Sequence, residues 1–306
     1  MRTRSLGVGG PDVSVVGLGC NNFGSRVDEH GTRAVVDAAL EVGVTLFDTA
    51  DVYGNRGGSE ELLGKALEGR RDRVVLATKF GHEMSDDAPP NRGSREYVRV
   101  AIEASLKRLR TDVVDLYQYH RPDGLTPIEE TLGAMSELVD EGKVRFIGSS
   151  NFEPAQVADA DEHASAHSWN RFVSAQNEYS LLRRDAEEEL LPVCERLGVG
   201  VLPYFPLASG LLTGKYRRGE PAPAGTRLAM RPEHLTAEAF DELEALEAFA
   251  VERGHTLLEL AFAGLLSHPH VSSVIAGATK PEQVRANAAA GDWELGEQDV
   301  QLLRAL

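Results

Sequence analysis

The strongest constraint on this chain's fold is an alternation that persists from end to end. Short apolar runs, rich in Val, Ile and Leu, are each followed by a longer stretch with helical spacing. The runs fall at 15–18, 44–48, 74–78, 113–117, 144–148, 172–175, 199–203 and 272–276. The amphipathic stretches occupy 31–42, 59–69, 94–109, 127–141, 154–166, 186–197 and 281–290, with 237–253 and 255–266 ahead of the last run. A run that is apolar at nearly every position has no polar face to turn to water, so a strand made from it is buried on both sides. Eight such strands separated by helices imply a parallel sheet, and a closed (β/α)8 TIM barrel in the α/β class buries all of them. The 306 residues suit one barrel, which commonly takes about 250 residues. No Pro/Ser-rich linker or break in composition divides the chain, so 1–306 is expected to be a single domain.

Local signals fit this reading. TRSLG and DVSVVGLG flank Gly9, Gly10 and Pro11 as the arms of an N-terminal β-hairpin. Ser94 reads as an N-cap, Pro127 and Pro154 suit first turns, and Gly43, Gly69, Gly142 and Gly198 fall where helices should end. Stretches 237–253 and ELGEQDVQLLRAL supply extra helices near the C-terminus. The competing architecture is an open doubly wound sheet that binds a dinucleotide through GxGxxG. That fingerprint is missing: GLGCNNFG (17–24) has Asn22 where the third glycine belongs. Nor does Gly58 to Lys65 have the spacing of a phosphate-binding loop.

In a parallel barrel the C-terminal ends of the strands lie on one rim, about 5 Å apart per strand. Asp48, Tyr53, Lys79 and His120 each lie at or just past the end of an apolar run, so they converge there. Taken singly, each has an ordinary role as turn cap, loop aromatic, surface charge or backbone partner. Together they read as proton-transfer chemistry. An adjacent ammonium lowers the pKa of a phenol, a carboxylate holds the ammonium, and an imidazole orients a carbonyl oxygen. Ser150, Asn151, Gln176 and Tyr204 follow later runs, and GATKPEQVRAN (277–287) opens a helix whose N-terminus suits phosphate.

In order and spacing, FDTADVYG, LATKFG, DLYQYH, IGSSNF and PLASGLLTGKY resemble the aldo-keto reductase superfamily, from about residue 5 to the C-terminus. The later motifs are similar to the branch with potassium-channel β subunits and bacterial stress-type reductases. The resemblance implies reduction of an aldehyde or ketone carbonyl with NADPH, NADH being possible. Tyr53 would be the general acid, Lys79 and Asp48 would tune it, and His120 would orient the substrate. It further implies cofactor contacts from Gly19, Cys20, Asn21 and Asp48, with Ser150, Asn151 and Gln176 on the carboxamide and Tyr204 stacked on the ring. Phe205, Pro206, Leu207, Gly210, Leu211 and Lys215 extend that site. Gly277, Thr279, Gln283 and Asn287 would hold the 2′-phosphate and adenine beside Lys280. Many relatives carry an arginine where Gln283 stands. The same resemblance admits a second function, a slow-turnover cofactor sensor.

Composition narrows the partners. A formal charge of −16 opposes nucleic acid, whose binding rests on Lys and Arg. Two cysteines without CxxC spacing favour a reducing compartment. The start lacks a secretory signal, and LLELAFAGLL (257–266) is half of what a bilayer needs, so a cytoplasmic location and no membrane are expected. Composition leaves the oligomeric state open. His163 and His167 share a helix face without a third metal ligand, His268 and His270 lack visible partners, and DAEEEL (185–190) opens a helix. Substrate walls are expected from 82–93, 207–234, Phe23, Phe152 and Phe205, because too few residues follow Asn287 for a long closing loop.

Overall fold

The computed structural model describes residues 1–230, 233 and 235–306, so the end of the expected 207–234 wall (231, 232 and 234) lies outside the described residues. Strands β1 (Thr3–Ser5) and β2 (Asp12–Ser14) pair antiparallel. Eight parallel strands follow: β3 (Val16–Gly19), β4 (Leu46–Asp48), β5 (Val75–Phe80), β6 (Val114–Tyr119), β7 (Val144–Ser150), β8 (Phe172–Gln176), β9 (Gly200–Val201) and β10 (Val274–Gly277). Their spatial order is β10-β3-β4-β5-β6-β7-β8-β9. The remaining seam, between β9 and β10, is closed by Val201 N–H to His270 O (2.7 Å), Ser272 N–H to Val201 O (3.0 Å) and Ile275 N–H to Pro203 O (3.0 Å). The result is the (β/α)8 barrel.

The helices are α1 (Glu29–Glu41), α2 (Tyr53–Ala66), α3 (Arg95–Leu109), α4 (Ile128–Asp140), α5 (Pro154–His167), α6 (Leu190–Leu197), α7 (Ala237–Glu252), α8 (Leu257–Leu266), α9 (Pro281–Ala290) and α10 (Glu297–Arg304). Their starts have chemical causes: Asp28 and Ser94 accept from Gly31 and Tyr97 amides, and Thr256 with Glu259 forms a capping box. α7 and α10 are additional to the eight βα units. No helix among the described residues is long and apolar enough to cross a membrane.

Leu46, Ala77, Leu116, Leu202 and Ile275 fill the barrel, and Leu6 and Val13 of the hairpin plug its N-terminal end. The plug seats closely, since a Cβ on Gly200 would lie 2.6 Å from Gly7 N and 2.5 Å from Ser272 Oγ. A second apolar cluster joins α7 and α8 to Leu211, Leu212, Tyr216 and Leu228, which pins the long segment after β9 to the barrel wall.

Candidate active site

The tetrad is assembled at the C-terminal rim. Lys79 Nζ, fully buried on β5, donates to Asp48 Oδ2 at 2.7 Å and to the Thr49 carbonyl at 2.9 Å, and lies 3.4 Å from Tyr53 Oη. The second carboxylate oxygen of Asp48 accepts from Gln176 Nε2 (2.9 Å) and Gln118 Nε2 (3.3 Å). Both charges are therefore paired and hydrogen-bonded, which is what a buried ion pair requires. His120 packs edge-on to Tyr53 with ring centroids 5.7 Å apart, and His82 packs edge-on to His120 at 4.3 Å.

The electrostatics follow from burial and from this ion pair. Desolvation works against the Lys79 ammonium, but Asp48 and Tyr53 outweigh it, and the pKa ends above the ordinary lysine value. Burial raises the Tyr53 pKa more than Lys79 lowers it. This corrects the simple expectation of an acidified phenol: in the protein alone Lys79 offsets only part of the cost of dehydrating Tyr53. Burial, with Lys79, His82 and Arg121 adding to it, holds His120 well below the usual histidine range, so its ring is neutral at pH 7. Its Nδ1 is buried without a partner.

The four residues border a cavity of about 440 Å³ or lie directly behind its wall, and this volume falls within the range of small-molecule sites. Its lining brings together Gly19, Asn21, Asp48, Ser150, Asn151, Gln176, Tyr204, Phe205, Pro206, Leu207, Gly210, Lys215, Gly277, Thr279, Gln283 and Asn287. Two members of the expected cofactor set are elsewhere. The Cys20 thiol turns to the Leu18 carbonyl at 3.6 Å and is fully buried, and Leu211 belongs to the second apolar cluster. Of the expected substrate walls, Phe23 and Phe152 are core residues and 82–93 stays off the cavity, while the loop from Leu207 to Arg227 lines it.

Several rim residues hold one another. Tyr204 Oη donates to Asn151 Oδ1 (2.7 Å), and Asn151 Nδ2 donates to the His120 carbonyl (2.9 Å) and to Ser150 Oγ (3.1 Å). Asn151 sits at φ 57°, a left-handed position that asparagine tolerates. Phe205, Ala208 and Ser209 are also at positive φ, strained backbone of the kind that concentrates at functional sites. Gln283 Oε1 accepts from both the amide (2.7 Å) and hydroxyl (3.1 Å) of Thr279 ahead of α9.

Asn22, Arg26, Arg121 and Arg227 also line the cavity and were not singled out by sequence. Arg121 had the same signal as His120, a position just past β6. Arg26 and Arg227 are in loops whose path no periodicity gives. Arg26 reaches across to donate to the Gly225 carbonyl at 3.4 Å.

The histidines that the sequence leaves without a third ligand or a partner do have acidic neighbours. Glu129 of α4 lies 3.1 Å from His167 Nε2, and the His167 ring stacks on Trp169, tying α4 to α5. His268 and His270 face Glu187 and Glu195 at 3.8 and 3.6 Å.

A parallel α/β barrel with this rim defines a barrel enzyme class, and the comparisons make the assignment specific. Residues 15–306 match the aldo/keto reductase family, and the chain belongs to this family of oxidoreductases. It is 39% identical to "Uncharacterized oxidoreductase YrpG" of Bacillus subtilis (strain 168), over 99% of this chain and 95% of that one. It is 38% identical to "Probable aldo-keto reductase 1" of Glycine max, over 96% and 86%. A "Probable voltage-gated potassium channel subunit beta" of Oryza sativa subsp. japonica is 36% identical, over 95% and 92%.

Proposed function

We propose that this protein reduces the carbonyl of a small aldehyde or ketone with NADPH, with Tyr53 as proton donor. The observation that carries the reading is the continuous Asp48–Lys79–Tyr53 contact at the inner end of the cavity, with His120 beside it. The chemistry of the wall fits a nicotinamide dinucleotide. Amide and hydroxyl groups of Ser150, Asn151 and Gln176 lie beside the Tyr204 ring, and Arg26, Lys215 and the N-terminal end of α9 lie along the rest. Gly277 leaves the backbone open where a Cβ would come within 3.1 Å of Asn22 Nδ2 and 3.3 Å of Asn21 Oδ1.

Bound there, the reduced cofactor supplies the hydride. Tyr53 Oη donates its proton to the oxygen of the substrate as negative charge develops on it. An alkoxide is far more basic than a phenolate, so a phenol of raised pKa still gives up its proton, and the Lys79 ammonium 3.4 Å away stabilises the phenolate that remains. Neutral His120 orients the carbonyl by hydrogen bonding and does not compete as an acid. The Asp48 carboxylate fixes Lys79.

Steady-state NADPH consumption with a reactive aromatic aldehyde tests this. Turnover of about 1 per second or more is expected, and Tyr53→Phe should lower it at least ~100-fold while cofactor affinity, read by fluorescence titration, changes little. Retention of a tenth of the rate by the variant would overturn the assignment of the acid. The channel-subunit name of one relative favours a second reading, a cofactor sensor, which turnover below about 0.01 per second in the unaltered protein would support.

A further inference from the structure

Three arginines line the cavity. Arg26 donates to the Gly225 carbonyl, and Arg227 lies over the Phe205 ring at 5.7 Å. Arg121 has no hydrogen bond or ion pair among the described residues. It follows His120 directly in the chain, at the reacting end of the cavity, and its side chain is exposed there. Its cation is felt by three aromatic groups around that end, His82, His120 and Tyr204.

The neighbouring acids are already engaged. Asp123 accepts from the Gly93, Leu125 and Thr126 amides, Glu178 pairs with Arg183, and Glu83 faces Arg92. Among the described residues lining the cavity, Asp48 is the one carboxylate, and Lys79 neutralises it. A chain of formal charge −16 thus keeps an uncompensated guanidinium beside its reacting centre. A guanidinium presents a planar fork of donors that matches a carboxylate.

We infer that Arg121 binds the carboxylate of the substrate, so that the preferred substrates are aldehydes or ketones carrying a carboxylate a few bonds from the carbonyl. This rests on the carbonyl-reductase reading and adds a substrate class to it. Arg121 acts here as a specificity residue, since no proton or hydride passes through it.

The test compares 4-oxobutanoate with its methyl ester and with butanal, in the unaltered protein and in Arg121→Gln. The acid should exceed the ester in kcat/KM by about tenfold or more, as a charge-assisted hydrogen bond supplies. The advantage should reside in KM, shrink with added salt, and vanish in Arg121→Gln. Equal kcat/KM for acid and ester in the unaltered protein, or an acid-to-ester ratio unchanged by Arg121→Gln, overturns the inference. Turnover of butanal and the ester reports separately on the reductase reading. Should none of the three be reduced, that reading fails, and calorimetry of butanoate against butanamide on the NADPH-loaded protein decides the anion site alone. Binding of butanoate that Arg121→Gln abolishes supports the site, and no binding overturns it.

Discussion

Lys79 illustrates how one buried side chain sets the behaviour of its neighbours. Donation by Tyr53 needs the protonated phenol, so the rate should fall as pH rises through its pKa. Lys79 pulls that pKa down against burial. Lys79→Met should therefore lower the rate and move the alkaline limb of the pH–rate profile to higher pH. An unmoved limb would give Lys79 a purely structural role. The same change strips Asp48 of its cation, and loss of one partner of a buried pair costs roughly 3–5 kcal/mol. Asp51 is the opposite case: burial, with Glu60 nearby adding to it, pushes its carboxyl up to about 8. Below about pH 4 both folded and unfolded chains hold this proton. From there to about 8 the unfolded chain has released it and the native one has not, so stability falls as pH rises, by on the order of 5 kcal/mol. Asp51→Asn should remove that slope from the difference in urea midpoints measured across the window.

Among the elements, α2 is joined to its surroundings by Glu60, which accepts from Arg108 Nε of α3 (2.7 Å) and Thr78 Oγ1 of β5 (2.5 Å). Glu60→Ala leaves a mostly buried guanidinium unpaired, and the unfolding free energy should drop by about 3–5 kcal/mol by chemical denaturation. Glu60→Gln should lose less because it keeps an acceptor for Thr78. The eight runs and their order were legible because burial on both faces leaves a plain pattern. Their ends were less so. The 199–203 run yields a regular strand only at Gly200–Val201, since Pro203 has no N–H to continue the ladder. The 186–197 helix begins regularly only at Leu190, after a 3-10 turn at Asp185–Glu187. Ahead of the 59–69 helix, Gly54, Asn55, Arg56 and Gly57 all take left-handed angles, a turn that no apolar period announces. In the site, the tetrad and most of the wall lie at strand ends, where the alternation itself locates them. Arg26, Arg227 and the links from Gln176 to Asp48 and from Asn151 to His120 depend on loop paths and rotamers, and these are set only by packing.

Over the whole molecule, a net charge of −16 surrounds a cavity whose lining includes Arg26, Arg121, Lys215 and Arg227. If Thr279 and Lys280 ahead of α9 and Gln283 in its first turn hold a 2′-phosphate, NADPH should bind more tightly than NADH. The gap should close as salt screens the exposed charges over about 10 Å or less. Lys280→Ala should narrow the preference, and Gln283→Arg should widen it by adding a fork of donors. Equal dissociation constants at low salt would remove the phosphate assignment and leave the tetrad untouched. The closed seam has a different consequence. β3 pairs with β10, so Val16 meets Val274, and the hairpin that plugs the floor seats against β9 and the loop ahead of β10. While this chain emerges from a ribosome, its first barrel strand, β3, therefore waits with one ladder of amides unpaired until nearly the last residues are made. Such an edge is the kind of surface on which chains join one another. The step that completes the barrel joins residues some 258 positions apart, among the most non-local contacts the chain makes and so among the slowest to find, so crowding of nascent chains is expected to lower the yield of this protein.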